Sequence, residues 1–165
     1  MRAIRTIAWR STSLLLARWC SAAWVGAAVL FVLVSLREVT YPEFSSSTKD
    51  HLALLRFPVY YLTGAALLGL STLTAFWARK HPEMSRLRSW IALGCLGGGL
   101  GVMLVDYLFV YQPLSDMIRP PGHPRTEWFA TLHSWSLRLN ALQVLLCWMA
   151  SWVLSWPSRH LDQHT

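Results

Sequence analysis

Five residues late in the sequence have side chains suited to chemistry: His133, Ser136, Asn140, Gln143 and Cys147. They interrupt a long apolar run, Trp128 to Trp156, at i, i+3, i+7, i+10 and i+14. On a helix that spacing gathers them on one face. A lipid-facing helix has no use for such a face. The stripe reads as one wall of a polar pocket or of a hydrogen-bond network. Its groups could bind or pass a small solute or ion through an outward-facing polar vestibule, and His133 is the one best suited to respond to pH near neutrality.

Other polar residues stand at the ends of further apolar runs. They are Arg37 and Glu38; His51, Arg56, Tyr60 and Tyr61; and Asp106, Tyr107 and Tyr111. Ionisable groups at membrane depth are costly, so they pair or line a wet cavity. Asp106 therefore needs a cation, and Arg56, Arg138 or a protonated His133 would serve. Glu38 has Arg37 or Arg56 within reach. Arg138 lies off the stripe by helical angle and could instead snorkel outward. The expected binding set is Asp106, His133, Asn140, Arg56, Ser136, Gln143 and Glu38. The same residues would equally form a structural network that fixes helix order.

Catalysis has no support in the pattern. The sequence holds no GxSxG, no HExxH and no phosphate-cradling loop ending in Lys and Ser/Thr. Cys20, Cys95 and Cys147 each lie inside an apolar run, without a CxxC pair or a His at metal-ligand spacing. They read as small packing residues. A haem held between helices wants two facing histidines, and His51 with His133 fits that poorly. No metal and no cofactor is expected, and no enzyme.

The elements that must position these groups follow from hydropathy. The chain has 165 residues, 54% hydrophobic and 14% charged, with a formal net charge of +7. Soluble domains carry about a quarter charged residues. The basic residues cluster at the ends of apolar runs, which points to a lipid bilayer as partner and away from nucleic acid. Four spans are expected, at about 13–36, 58–77, 90–111 and 129–156. The first is too long for a signal-peptide core and no small-x-small site follows it, so it is expected to be uncleaved. Arg18 inside it is expected to snorkel. Pro42 breaks the first exit, 48–57 reads as one or two amphipathic turns, and Pro113 ends the third span. Pro58 either sits in the first turn of the second span or, if that helix starts earlier, frees the Leu54 carbonyl and bends it.

The fold class expected is therefore all-α: one domain, residues 1–165, a four-span transmembrane antiparallel helical bundle. Arg and Lys favour the N-terminal tail, the 78–89 loop and Arg159, which puts both termini in the cytoplasm. The expected location is a bacterial inner (cytoplasmic) membrane. Trp9, Trp19, Trp77, Trp90, Trp128 and Trp156 stand where an aromatic belt would. The third span holds Gly94, Gly97, Gly98, Gly99 and Gly101. Gly94/Gly98 and Gly97/Gly101 have small-xxx-small spacing, with Ala22/Gly26 and Ala65/Gly69 as counterparts. That spacing serves packing inside the chain or a homo-oligomer seam through helix three.

Several stretches resemble a known family. Trp24-Val25-Gly26, Phe31 and the exit to Pro42-Glu43-Phe44 resemble the first helix of the transmembrane protein 205-like family. Arg56-Phe57-Pro58-Val59-Tyr60-Tyr61 is similar to its opening of helix two, and Tyr111-Gln112-Pro113-Leu114 to its exit from helix three. Phe129-Ala130-Thr131-Leu132-His133-Ser134-Trp135-Ser136 with Leu139-Asn140 resembles its fourth-helix signature. The likeness runs over residues 20–155. It implies a four-helix integral membrane protein and, by analogy with members linked to drug or metal tolerance, a transport-related role. It supplies no catalytic residues. The chain departs from the pattern in its glycine run and in Arg37-Glu38.

Overall fold

The computed structural model describes residues 2–122 and 124–157. Arg159, His160 and His164 lie outside the described residues. Among those described, the chain is all-α. The order is α1 (Arg2–Thr40), α2 (Ser46–Ala78), α3 (Arg86–Asp106), a π-helical turn (Tyr107–Tyr111), α4 (Gln112–Met117) and α5 (Glu127–Ser155). Four helical stretches are long and apolar enough to cross a membrane: Ala8–Thr40, Ser46–Ala78, Arg86–Met117 and Glu127–Ser155. About 20 residues span a bilayer core, so each exceeds the minimum by a turn or more.

One proline's alternative is decided and one expected stop is overturned: the helix through Pro58 is continuous, and Pro113 is no stop. The turns at 48–57 are the start of α2, which begins at Ser46 and runs through Pro58. Ser45 caps it, its hydroxyl accepting the Thr48 N–H at 3.1 Å. Pro58 removes one donor from Leu54, a loss that membrane helices tolerate. Pro113 does not end the third span either. The helix continues to Met117 because a wide turn precedes the proline, with the Gln112 N–H reaching back to the Tyr107 carbonyl. A proline ring clashes with the carbonyl four residues back and brings no donor. A π turn placed just before it relieves the crowding.

Helix α1 packs chiefly on α2, and α3 on α5, with α1–α5 and α2–α3 contacts completing the set. Small side chains let α1 come close: Ala17, Ser21 and Ala28 are wholly buried. There Ser71 of α2 donates to the Ala17 carbonyl at 2.9 Å. The largest core side chain, Trp24, is 1% exposed. Its ring occupies the space a side chain at residue 64 would need. A Cβ on Gly64 would meet Trp24 Cη2 at 2.6 Å and Met103 Sδ at 2.7 Å.

The glycines that pack are not those with the expected spacing. Gly26, Gly69, Gly94, Gly97 and Gly101 have nothing within 4 Å of a built Cβ, and Gly98 has only Leu146 Cδ1 at 3.6 Å. The close approaches are Gly64 and Gly99, the latter with Cys147 Sγ 2.9 Å from its Cβ position. Gly94, Gly97 and Gly101 are exposed on α3, and none of the open glycines forms a seam within the chain.

One end is closed by arginines. The last carbonyls of a helix lack intrahelical donors. Arg18 of α1 donates to the Leu154 carbonyl at 2.8 Å and pairs with Glu83 at 3.0 Å. Arg88 of α3 donates to the carbonyls of Val153 and Trp156 at 2.9 and 2.6 Å. Arg18 thus does not snorkel free, because α5 and the 79–85 loop offer it acceptors. All six predicted belt tryptophans are exposed.

The Gly64 contact sets a test. Gly64→Ala should destabilise the protein by about 1–3 kcal/mol, since Trp24 has no room to retreat. Gly97→Ala should change stability by less than about 0.5 kcal/mol. Unfolding in mixed micelles measures both, and equal effects would sink the packing argument.

Candidate functional site: a buried carboxylate beneath an end cavity

At the opposite end, polar groups of three helices meet at Asp106, which is 2% exposed. Tyr61 of α2 donates to its Oδ2 at 2.7 Å. Ser136 and Asn140 of α5 donate to the same oxygen at 3.3 and 3.4 Å. Tyr60 donates to Asn140 Oδ1, which orients that amide. The sequence pattern thus brings Asp106, Ser136 and Asn140 together as expected.

The expected cation is a different matter. Asp106 is held by neutral donors and bonds to none of Arg56, Arg138 and His133. Arg56 pairs instead with Glu38 and lies 5.5 Å over the Phe31 ring. The reason is depth. Arg56 precedes Tyr61 by five residues, about 7.5 Å of helix, and so meets the end of α1. Arg138 turns outward over the Trp135 ring at 5.4 Å.

The buried face of α5 is Leu132, Ser136, Gln143, Cys147, Ala150 and Leu154. His133 is therefore off it, exposed, with its ring stacked on Phe129 at 6.0 Å. Leu132 takes the inward position because α5 at that turn packs an apolar side chain against its neighbours. Gln143 is 2% exposed and lies a turn deeper than Asn140, where it belongs to the packed interior. Among the described residues, Gln143 Nε2, Trp24 Nε1 and Asp106 Oδ1 have no protein hydrogen-bond partner.

Above Asp106 lies a cavity of about 360 Å³ between the end of α1, the start of α2, α4 and the start of α5. Its walls are largely apolar, including Phe31, Leu36, Phe57, Leu114, Phe129 and Leu137. Its polar groups are Glu38, Arg56, His133, Ser136 and Asn140, with Lys49, Asp50 and Arg125 at the rim. Beneath it Trp24, Tyr60, Tyr61 and Met103, each no more than 5% exposed, fill the interior.

Asp50 and Arg125 escaped the sequence reading. Asp50 is 2% exposed, accepts the Gly122 N–H at 2.9 Å and pairs with Arg125 at 2.9 Å. This latch holds Gly122 and Arg125 against the first turns of α2. Gly122 makes it with φ of +93°, a conformation that suits glycine. Lys49 closes the same end by donating to the Val39 carbonyl at 2.7 Å. Nothing in local sequence signals a pair 75 residues apart.

Compared with protein-family models, curated proteins and solved structures, the chain finds no match in any of the three.

The Tyr61–Asp106 bond is measurable. Interhelical hydrogen bonds in membranes contribute about 0.6 kcal/mol on average and at most about 1.7. A double-mutant cycle of Tyr61→Phe and Asp106→Leu should give a coupling in that range. Strictly additive effects on unfolding would remove Asp106 as the tie between α2 and α3.

Proposed function

We propose that the chain is a single-domain, four-span antiparallel bundle with both termini cytoplasmic, in a bacterial inner membrane. Its function is non-enzymatic. The outward-facing cavity above Asp106 binds a small amphiphilic solute. The carrying observation is the cavity itself, apolar along its length and polar at its rim and floor. Binding sites for small molecules combine those two features and start near 300 Å³. The packed layer of Trp24, Tyr60, Tyr61 and Met103 favours binding over free passage. Lys49, Arg56 and Arg125 outnumber Glu38 and Asp50 by one among the lining charges, so an anionic or neutral head is preferred. Kinship with the transmembrane protein 205-like family is part of the same proposal. Of the residues that carry that likeness, Arg56, Phe57, Phe129, His133, Ser136 and Asn140 line the cavity.

Cysteine labelling tests the proposal. Ser35→Cys and Ala53→Cys, on the cavity wall, should react with a membrane-impermeant maleimide added from the outer side. Octanoate should slow that reaction several-fold, and octylamine less. Leu62→Cys, facing away, should neither label nor respond. Failure of both wall positions to label or to be protected would end the reading.

A second reading rests on the open face of α3. Gly94, Gly97 and Gly101 are exposed and meet nothing within the chain. A partner helix or a second copy could approach closely there. The chain would then be a structural or accessory subunit. An intermolecular disulfide at Gly97→Cys or Gly101→Cys in membranes would support this reading, and its absence under oxidant would remove it.

A further inference from the structure

The second large cavity lies at the other end, in the connection between α2 and α3. It measures about 580 Å³, and its lining includes Arg79, Lys80, His81, Arg86, Trp90 and Leu93. Three of those side chains are permanent cations. The one acid of this loop, Glu83, is engaged by Arg18 at 3.0 Å. Among the described residues no carboxylate pairs with Arg79, Lys80 or Arg86. Arg79 is instead held 3.9 Å over the Phe76 ring, which fixes its position without neutralising it.

The backbone around these cations is built. His81 is buried, its Nδ1 accepting the Glu83 N–H at 3.2 Å and its Nε2 lying 3.0 Å from Ser11 Oγ. Ser89 donates to the Arg79 carbonyl at 3.2 Å, tying the end of α2 to the start of α3. The first turn of α3, capped by Ser85 Oγ on the Arg88 N–H at 3.2 Å, adds the positive end of its dipole. Beside the charges, exposed Trp90 and half-buried Leu93 continue an apolar path down α3. The cavity stands where two helices long enough to cross a membrane join. That is the depth of lipid phosphates.

We propose that this cavity binds the phosphate headgroup of an anionic phospholipid. Arg79, Lys80 and Arg86 hold the phosphate, and one acyl chain lies along Trp90 and Leu93. The charge complement and the apolar continuation each fit such a lipid. Free phosphate would use only the first. The inference rests on the helices spanning a bilayer and is independent of the cavity above Asp106.

The test uses the full chain in nanodiscs of phosphatidylcholine with a minor fraction of phosphatidylglycerol. Native mass spectrometry should show phosphatidylglycerol retained in preference to phosphatidylcholine. Each cation near an anionic lipid contributes roughly fivefold in affinity. Lys80→Gln with Arg86→Gln should therefore weaken retention by about 25-fold. Arg119→Gln, an exposed cation at the other end, should leave it unchanged. Equal retention of the two lipids, or a double variant with wild-type preference, overturns the proposal. Displacement of the lipid by millimolar inorganic phosphate would show a plain anion site and overturn the lipid assignment. Should the double variant fold poorly, photoactivatable phosphatidylglycerol on the wild type decides the matter. Crosslinks confined to 79–93 support the site, and crosslinks spread over all basic segments refute it.

Discussion

A carboxylate buried among apolar helices must find its donors inside the protein, because lipid offers none. Asp106 meets that demand with Tyr61, Ser136 and Asn140, and so fixes α2, α3 and α5 at one level. Much of the surrounding geometry is tied to this point. The tyrosine pair must face inward, which places Tyr60 on Asn140 and Trp24 against Tyr60, with ring centroids 4.9 Å apart. Trp24 in turn needs the missing side chain at Gly64. One polar requirement thus propagates through an aromatic layer into helix spacing.

Among the described residues, the first helix makes no hydrogen bond to Asp106. It joins the others through small residues, through Trp24 and through two ion pairs. Arg18 holds it to Glu83 and α5, and Glu38 holds it to Arg56. Between Glu38 and the start of α5 the helices do not close on each other, and the end cavity occupies the interval. The two ends are therefore unlike. At one, guanidinium groups cross the gaps. At the other, paired charges ring an apolar hollow.

Helix number and type were legible in the sequence, because runs of apolar residues this long have few alternatives. The ends of α2 and of the third span were not. Pro58 leaves the start of its helix open and Pro113 looks like a stop when read alone, and only the continuing chain shows one tolerated and the other preceded by a wide turn. The period of α5 revealed Ser136, Asn140, Gln143 and Cys147, and His133 lines the cavity although Leu132 takes the buried position of its turn. A 3.6-residue repeat leaves neighbours such as Leu132 and His133 hard to separate near a helix start. Glu38 with Arg56 was among the partners open to Glu38. Tyr61 as donor to Asp106 was less visible, since tyrosine near a helix end suits a membrane interface equally well. Asp50 and Arg125 meet across 75 residues of chain, and no periodicity records that.

The arginine contacts at the end of α5 bear on how the chain assembles. Arg18 and Arg88 both precede α5 in the chain. During synthesis, the donors that satisfy its last carbonyls are made before the carbonyls themselves. The residues that hold the C-terminal turn of α5 are therefore made before that turn is. Chain order and hydrogen-bond order coincide, so insertion of the last described helix is also its docking step.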